Sequence, residues 1–241
     1  MVNARWFALG VMLLGCAGSN PSAQYERGVA AFDGNDMKPA ADALETFTGK
    51  ACGPGSADSR CREAYIKLGH ARERLGAPGG AWAAYDAALG FGPHTRDAAV
   101  EADLDRTQKE LQDKHAGAAG RSPVIVRYRD EVSEEYSARS VVISLDFGPV
   151  LAKDKNAQEL HSADFAKVFG GSVAAGEHVI VVETVHDCRP GGGVPCSRSR
   201  VRRAWPFRSV AHTPTTVEIR AYAEDGPVGG APRPTLELTT H

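Results

Sequence analysis

The feature that most constrains the fold is a change in the hydrophobic pattern near residue 120. From about Ala23 to Lys114, apolar residues recur at the spacing of amphipathic helices. From Val124 onward, apolar residues alternate with polar ones, and β-branched residues are frequent. The intervening segment 117–123 is rich in Gly and Ala and ends in proline, which is typical of a linker. We therefore expect an α+β multidomain chain in which a helical part precedes an all-β part.

Small residues recur at fixed offsets within the helical part. Gly69 and Ala81 are 12 residues apart, and so are Gly28 and Ala40 in an earlier, weaker copy. Antiparallel helices approach closely where small residues meet, and the spacing resembles that of a tetratricopeptide repeat. The resemblance implies N-terminal α-hairpins. It assigns the following residues to repeat packing: Gly28, Ala40, Leu44, Leu68, Gly69, Ala81, Tyr85, Ala88 and Pro93.

The two copies are separated by 41 residues, whereas tetratricopeptide repeats are usually about 34 residues long. The additional residues fall in the loop that holds Cys52 and Cys61. A polar helix over 95–114 would cap the array. Because two repeats and a cap are few for independent stability, we expect the helices to pack against the C-terminal part. A plain helical bundle without a binding groove is the alternative.

The C-terminal part has the pattern of an all-β sandwich, with several short strands in about 120 residues. The segment 144–185, with Gly176 supplying a turn, resembles PEGA-type and carboxypeptidase-regulatory-type β-sandwiches. In the second strand, residues 141, 143, 145 and 147 are expected to share one face. Seven strands are predicted: Val124–Arg129, Arg139–Phe147, Phe165–Val173, His178–Val185, Trp205–His212, Thr216–Tyr222 and Thr235–Thr239.

The N-terminus indicates export. Arg5 precedes an uncharged apolar run, Trp6–Leu14, which has the length of a signal-peptide core and is too short to span a bilayer. The run leads into Leu-Leu-Gly before Cys16, which resembles the lipobox of bacterial lipoproteins. The resemblance implies cleavage before Cys16, lipidation of that cysteine and, because residue 17 is Ala rather than Asp, an outer-membrane location facing the periplasm. An ordinary signal peptide with a chance cysteine is the alternative.

The other four cysteines form two close pairs, each flanking a loop rich in Gly, Pro and Ser. In an oxidising compartment we expect the disulfides Cys52–Cys61 and Cys188–Cys196. A zinc site is the alternative, but neither pair has the C-x-x-C spacing, and only His186 lies next to one of them. We predict no metal site and no cofactor.

Neither charge nor motifs indicate an enzyme. The formal net charge is −2, so nothing in the overall composition favours nucleic-acid binding. The sequence has no G-x-S-x-G, no P-loop, no dinucleotide-binding glycine motif and no H-E-x-x-H. Two-part chains of this kind are sometimes labelled dihydrolipoamide acetyltransferase. We reject that label because the catalytic H-x-x-x-D-G and the lipoyl D-K-A motif are both absent.

Five arginines stand close together beside Trp205 and Phe207. Arginine binds carboxylates and phosphates bidentately, so these residues are candidates for binding an anion or a partner. The alternative is a charged sheet edge with the two aromatic residues in the core. The candidate residues are Arg198, Arg200, Arg202, Arg203 and Arg208.

Several other polar residues are expected at the surface. His161 and Asp164 lie in a polar segment, and His178 and His186 flank a predicted strand as partly exposed residues. The acidic residues at 130, 131, 134 and 135 are expected in a solvated loop.

These observations define an order of segments and a function. We expect a membrane-anchored, non-enzymatic interaction protein, a scaffold or accessory subunit with envelope protein partners. A glycan- or small-ligand-binding lipoprotein, using Trp205, Tyr222 and Tyr128 of the β part, is the alternative. The predicted segments are the signal peptide 1–15, the lipidated tether 16–22, the helical domain 23–116, the linker 117–123 and the β-sandwich domain 124–241.

Overall fold

The computed structural model describes residues 20–53, 56–91, 97–132, 136–153, 164–189, 198–224 and 233–241. Within these residues the fold is mixed α+β, with five helices followed by eight strands. Among the described helices, none combines the length and the apolar character needed to cross a bilayer. The helices are α1 (Pro21–Asp33), α2 (Met37–Ala51), α3 (Arg60–Arg74), α4 (Pro78–Leu89) and α5 (Ala98–Ala116).

The first four helices form two hairpins with the same turn. In the first, the amide of Asn35 donates to the carbonyl of Phe32, and the amide of Asp36 donates to that of Ala31. The second hairpin repeats both bonds 41 residues later, from the amides of residues 76 and 77 to the carbonyls of 73 and 72. Asn35 and Gly76, at equivalent positions, have φ values of 61° and 73°. The left-handed conformation suits Asn and Gly better than other residues.

Inside each hairpin a glycine faces a large side chain. A Cβ on Gly28 would lie 2.7 Å from Cγ of Leu44, and a Cβ on Gly69 would lie 2.6 Å from Cζ of Tyr85. Both contacts join residues 16 positions apart. The small residues therefore allow the two helices of each hairpin to approach closely, as the spacing predicts. Ala40, Leu44, Leu68, Ala81, Tyr85 and Ala88 are all buried.

A disulfide joins the two hairpins. Cys52 follows α2, Cys61 lies in the first turn of α3, and their sulfurs are bonded. This pairing is confirmed. Cys188 is also disulfide-bonded. Its predicted partner, Cys196, lies outside the described residues.

The strands form two four-stranded sheets, in the orders β4-β1-β7-β8 and β3-β2-β5-β6. Neighbouring strands are antiparallel except for β1 and β7, which are parallel. The strands are β1 (Arg121–Glu131), β2 (Tyr136–Leu145), β3 (Gly148–Lys153), β4 (Ala166–Ala174), β5 (Gly176–Cys188), β6 (Ser199–Ser209), β7 (Thr215–Glu224) and β8 (Arg233–Thr240).

One hydrophobic core is shared by both sheets. Val126 and Tyr128 of β1 pack in the same cluster as Ile143 of β2 and Ile180 of β5, and all four are fully buried. In such a two-sheet arrangement the inward-facing residues alternate with outward-facing ones along each strand. Every one of the seven predicted strands overlaps a strand of the structure.

Three details of the β part differ from the sequence prediction. Strand β3 was not predicted, because it is short, begins Gly-Pro and lies at a sheet edge, where proline is tolerated. Strand β6 begins at Ser199 rather than at Trp205, so most of the arginine-rich segment is strand. Phe147 does not continue β2, since it lies in the turn after it, with φ of 71°. Its ring packs 5.0 Å from that of Trp82.

The segment predicted as a linker is short. Helix α5 ends at Ala116 and β1 begins at Arg121, so residues 117–120 alone separate them. The helices pack directly on the second sheet through a cluster that contains Trp82, Leu111, Val179 and Val181. The expectation that the helices lean on the β part is therefore confirmed.

Candidate functional site

The first helices of the two hairpins, α1 and α3, and the following helix α5 contact one another through their side chains. We call the surface that these three helices form the first-helix face. Tyr25 of α1 donates from its hydroxyl to Glu63 of α3 over 2.8 Å. Arg74 of α3 donates to Asn35 after α1 over 2.8 Å, and its guanidinium lies over the ring of Phe32. Between α1 and α3 this face therefore combines partly exposed aromatic rings with charges of both signs.

Burial and Glu63 raise the pKa of Tyr25. Loss of hydration is the larger cause and the hydrogen bond to Glu63 the second, and together they raise the pKa to about 12. The phenol therefore remains a hydrogen-bond donor to the carboxylate at neutral pH.

The same face continues from α3 to α5 through a polar network. Arg106 binds the carboxylate of Glu73 with two nitrogens, at 3.0 Å from Nε and 2.7 Å from Nη2. Glu73 also accepts the hydroxyl of Tyr85 at 2.6 Å, and His70 lies 2.8 Å from the same hydroxyl. Burial, followed by the bond to Glu73, raises the pKa of Tyr85. The hydroxyl of Tyr85 is thereby fixed from both sides.

The arginine-rich strand β6 is engaged in ion pairs within the molecule. Arg200 lies 2.8 Å from Glu183 on the neighbouring strand, and Arg202 lies 2.7 Å from Asp86 of α4. Arg198 pairs with Asp187 at 2.6 Å. Arg203 is partly buried and Arg208 is exposed. Three of the five arginines that were candidates for binding an external anion therefore pair with carboxylates of this chain.

The aromatic residues considered for glycan binding are partly or fully covered. Tyr128 is fully buried in the shared core. Trp205 is partly buried against that core. Tyr222 is partly buried, with the guanidinium of Arg220 over its ring at 4.6 Å.

Three residues that sequence reasoning did not connect converge where α5 meets the β part. His115 is in the last turn of α5, Asp146 in the β2–β3 turn and His178 near the start of β5. One donor atom from each lies within 4.8 Å of the others. We call these residues the His-Asp-His cluster. Its members are 31 and 32 positions apart, so no local motif marks it.

The ring nitrogens of the cluster face in two directions. Nε2 of His115 lies 2.6 Å from the carbonyl oxygen of Glu177, and Nε2 of His178 lies 2.8 Å from that of Ala174. Because a carbonyl only accepts, both Nε2 atoms carry hydrogen. The Nδ1 atoms face the carboxylate of Asp146, at 3.8 Å from His115 and 2.7 Å from His178. The two rings stack with their centroids 4.6 Å apart.

The predicted exposure of the two strand histidines is wrong. His178 and His186 are 0% and 1% exposed. His186 lies 3.2 Å from Asp130, which is itself 1% exposed and also accepts the amide of Val132. Asp130 is therefore part of the protein interior rather than of a solvated acidic loop. The pKa of the neighbouring Tyr128 is raised, mainly because that phenol is buried and secondly because it lies near the charge of Asp130.

Some predicted residues lie outside the described part of the chain. These are Cys16, Pro93, Glu134, Glu135, His161 and Cys196, together with the predicted signal peptide 1–15.

Comparison of the chain with known protein families, with curated proteins and with solved structures finds no match in any of the three.

Proposed function

We propose that this chain is a membrane-anchored bacterial lipoprotein of the periplasm. In this proposal it acts as a non-enzymatic scaffold or accessory subunit of an envelope complex. The signal-peptide pattern and Cys16 support the anchoring, and the helical hairpins support the interaction role. The outer membrane is the favoured site because Ala17 follows the lipidated cysteine.

The observation that carries the interaction role is the duplicated hairpin. The turn bonds and the glycine contact recur 41 residues apart, and Gly28 with Leu44 corresponds to Gly69 with Tyr85. This regularity supports tetratricopeptide-like repeats with α5 as a cap. Stacked repeats present the first helix of each pair on one continuous surface, which accepts an extended or helical segment of another protein.

The chemistry of the first-helix face suits a protein partner. Its aromatic rings lie under cations, as with Lys67 at 4.8 Å from the ring centroid of Phe32. Asp33 and Glu63 at the same place have side chains that are 64% and 56% exposed. Mixed charge with aromatic surface is characteristic of the rims and anchors of protein interfaces. In contrast, the covered state of Tyr128, Trp205 and Tyr222 gives less support to the glycan-binding alternative.

The anchoring part is tested by replacing Cys16 with Ser. Two or more acyl chains hold a protein on a bilayer far more firmly than one. We expect the wild type to sediment with outer membranes and Cys16→Ser to leave that fraction. An unaltered distribution of the variant would contradict lipid anchoring.

The interaction part is tested by site-specific photocrosslinking in intact cells. A photoreactive residue at Asp33, on the first-helix face, should yield a discrete adduct with an envelope protein. The matched control is Val210, which is 59% exposed and follows β6. Equal adducts from both positions, or none from Asp33, would contradict a partner site on the first-helix face.

A further inference from the structure

The His-Asp-His cluster has the features of a metal-binding site. In proteins, a histidine that binds a metal through one ring nitrogen almost always donates the hydrogen of the other to a carbonyl or carboxylate, which fixes its tautomer and orientation. His115 and His178 both make that bond, to the carbonyls of Glu177 and Ala174. Their remaining nitrogens both lie toward Asp146.

We propose that His115, Asp146 and His178 bind one divalent transition-metal ion, with Zn²⁺ as the probe. The ligands are Nδ1 of each histidine and a carboxylate oxygen of Asp146. Two imidazoles and one carboxylate suit zinc, iron, nickel or copper, whereas Mg²⁺ and Ca²⁺ prefer sites made of oxygen atoms. Nothing in the interaction role requires this site, so the proposal stands independently of it.

The three donor atoms lie within 4.8 Å of one another, so they must adjust their spacing to hold such an ion. Ligand bonds of about 2.0–2.1 Å in a tetrahedral site place neighbouring donors about 3.3 Å apart. The separations to Asp146 are 2.7 Å and 3.8 Å, one shorter and one longer than that value. Asp146 and His115 have side chains that are 20% and 17% exposed, so solvent can supply a fourth ligand, while His178 is fully buried.

The turn that holds Asp146 places its carboxylate. Asp146 and Phe147 are the two central residues of the β2–β3 hairpin, between the paired residues Leu145 and Gly148, and both have positive φ, at 48° and 71°. Two-residue hairpin turns of this type require positive φ at both positions. The other oxygen of Asp146 accepts the amide of Val179 at 3.0 Å, which fixes the carboxylate between the histidines.

The test uses the protein as the cell produces it, purified in detergent without a polyhistidine tag and freed of metal with a chelator. Calorimetric titration with Zn²⁺ should show one site per chain. Removing a metal ligand should weaken binding at least about 100-fold, since loss of a supporting contact alone costs 10–100-fold. His115→Ala and Asp146→Asn are the test variants. Asn tolerates the left-handed conformation and retains an oxygen for the amide of Val179, so this variant is expected to fold.

The matched control is His241→Ala. His241 is an exposed histidine that lies 3.4 Å from Glu218. The substitution therefore removes an imidazole–carboxylate pair at the surface, away from the His-Asp-His cluster. We expect its zinc affinity to equal that of the wild type. Absence of binding by the wild type, or equal affinity in all four proteins, would overturn the proposal.

A further readout, thermal unfolding, separates a ligand role from a structural one. Zinc at 100-fold above its dissociation constant should raise the wild-type Tm by roughly 5–10 °C and leave that of Asp146→Asn unchanged. A Tm shift of equal size in the variant would likewise overturn the proposal.

Discussion

Two glycines in the helical part occupy positions at which a methyl group has no room. Gly28 faces Leu44 and Gly69 faces Tyr85, and in each case the added carbon would lie within 2.7 Å of a buried side chain. Glycine within a helix costs about 1 kcal/mol relative to alanine, so the close approach of the two helices must offset that cost.

Replacing Gly69 with Ala should destabilise the protein by about 1–3 kcal/mol, because Tyr85 is held by His70 and Glu73 and cannot easily move aside. The control is Gly49→Ala in α2, where nothing lies within 4 Å of the added carbon. We expect that variant to gain about 0.5 kcal/mol from its better helix propensity. Chemical denaturation monitored by circular dichroism measures both, and a loss of equal size at the two positions would contradict the packing explanation.

The sequence revealed some residue roles and concealed others for a physical reason. Gly28 and Gly69 could be identified because the two helices of a hairpin are close in the chain, and their packing leaves a regular spacing. The predicted exposure of His178, His186 and Asp130 is wrong because an alternating pattern does not indicate whether a polar side chain has a hydrogen-bonding partner in the protein interior. Their partners lie 32 and 56 positions away and are joined only by the fold.

Among the elements, α2 and α3 are joined covalently as well as by packing. The Cys52–Cys61 disulfide spans 9 positions, and both sulfurs lie in the core that also contains Phe47 and Ala64. Closing this loop restricts the unfolded chain and also fixes the second hairpin against the first.

The double variant Cys52→Ala/Cys61→Ala should lose about 2–3 kcal/mol, the chain-entropy value for a loop of this length. We expect its Tm to fall by roughly 5–10 °C. Thermal unfolding with and without reductant measures this. With reductant present, wild type and variant should unfold at nearly the same temperature. A persistent difference there would mean that packing of the two sulfurs, rather than the covalent bond, is responsible.

The strands show where pattern-based prediction of elements fails. All seven predicted strands exist, because alternation reports a half-buried sheet directly. The start of β6 was missed because its arginines made the segment resemble a basic surface patch. In the structure these arginines pair with carboxylates on β5 and α4. The charges that hid the strand pattern in the sequence therefore stabilise that strand.

At the scale of the whole molecule, the helices and the sheets are connected by contacts of different kinds. Trp82 and Leu111 pack on Val179 and Val181 of β5. The carboxylate of Glu177 accepts the amide of Gly80 in the first turn of α4 at 2.9 Å, where a negative charge is favoured by the helix dipole. Arg202 of β6 reaches Asp86 of α4. The two helical hairpins and α5 thus gain from the β part a support that they share with no further helices among the described residues.

Reversing the charge of Arg202 tests whether this contact holds the two parts together. Arg202→Glu places two negative charges opposite each other, with Asp86 only 12% exposed, and should cost about 1 kcal/mol. Restoring the opposite pair in Arg202→Glu/Asp86→Arg should recover most of that loss. Arg208→Glu, an exposed arginine on the same strand, should change stability by less than about 0.5 kcal/mol. Denaturation of these proteins and of the single variant Asp86→Arg measures the coupling. A double variant no more stable than the added changes of the two single variants predict would show that this ion pair does not hold the helices to the sheet.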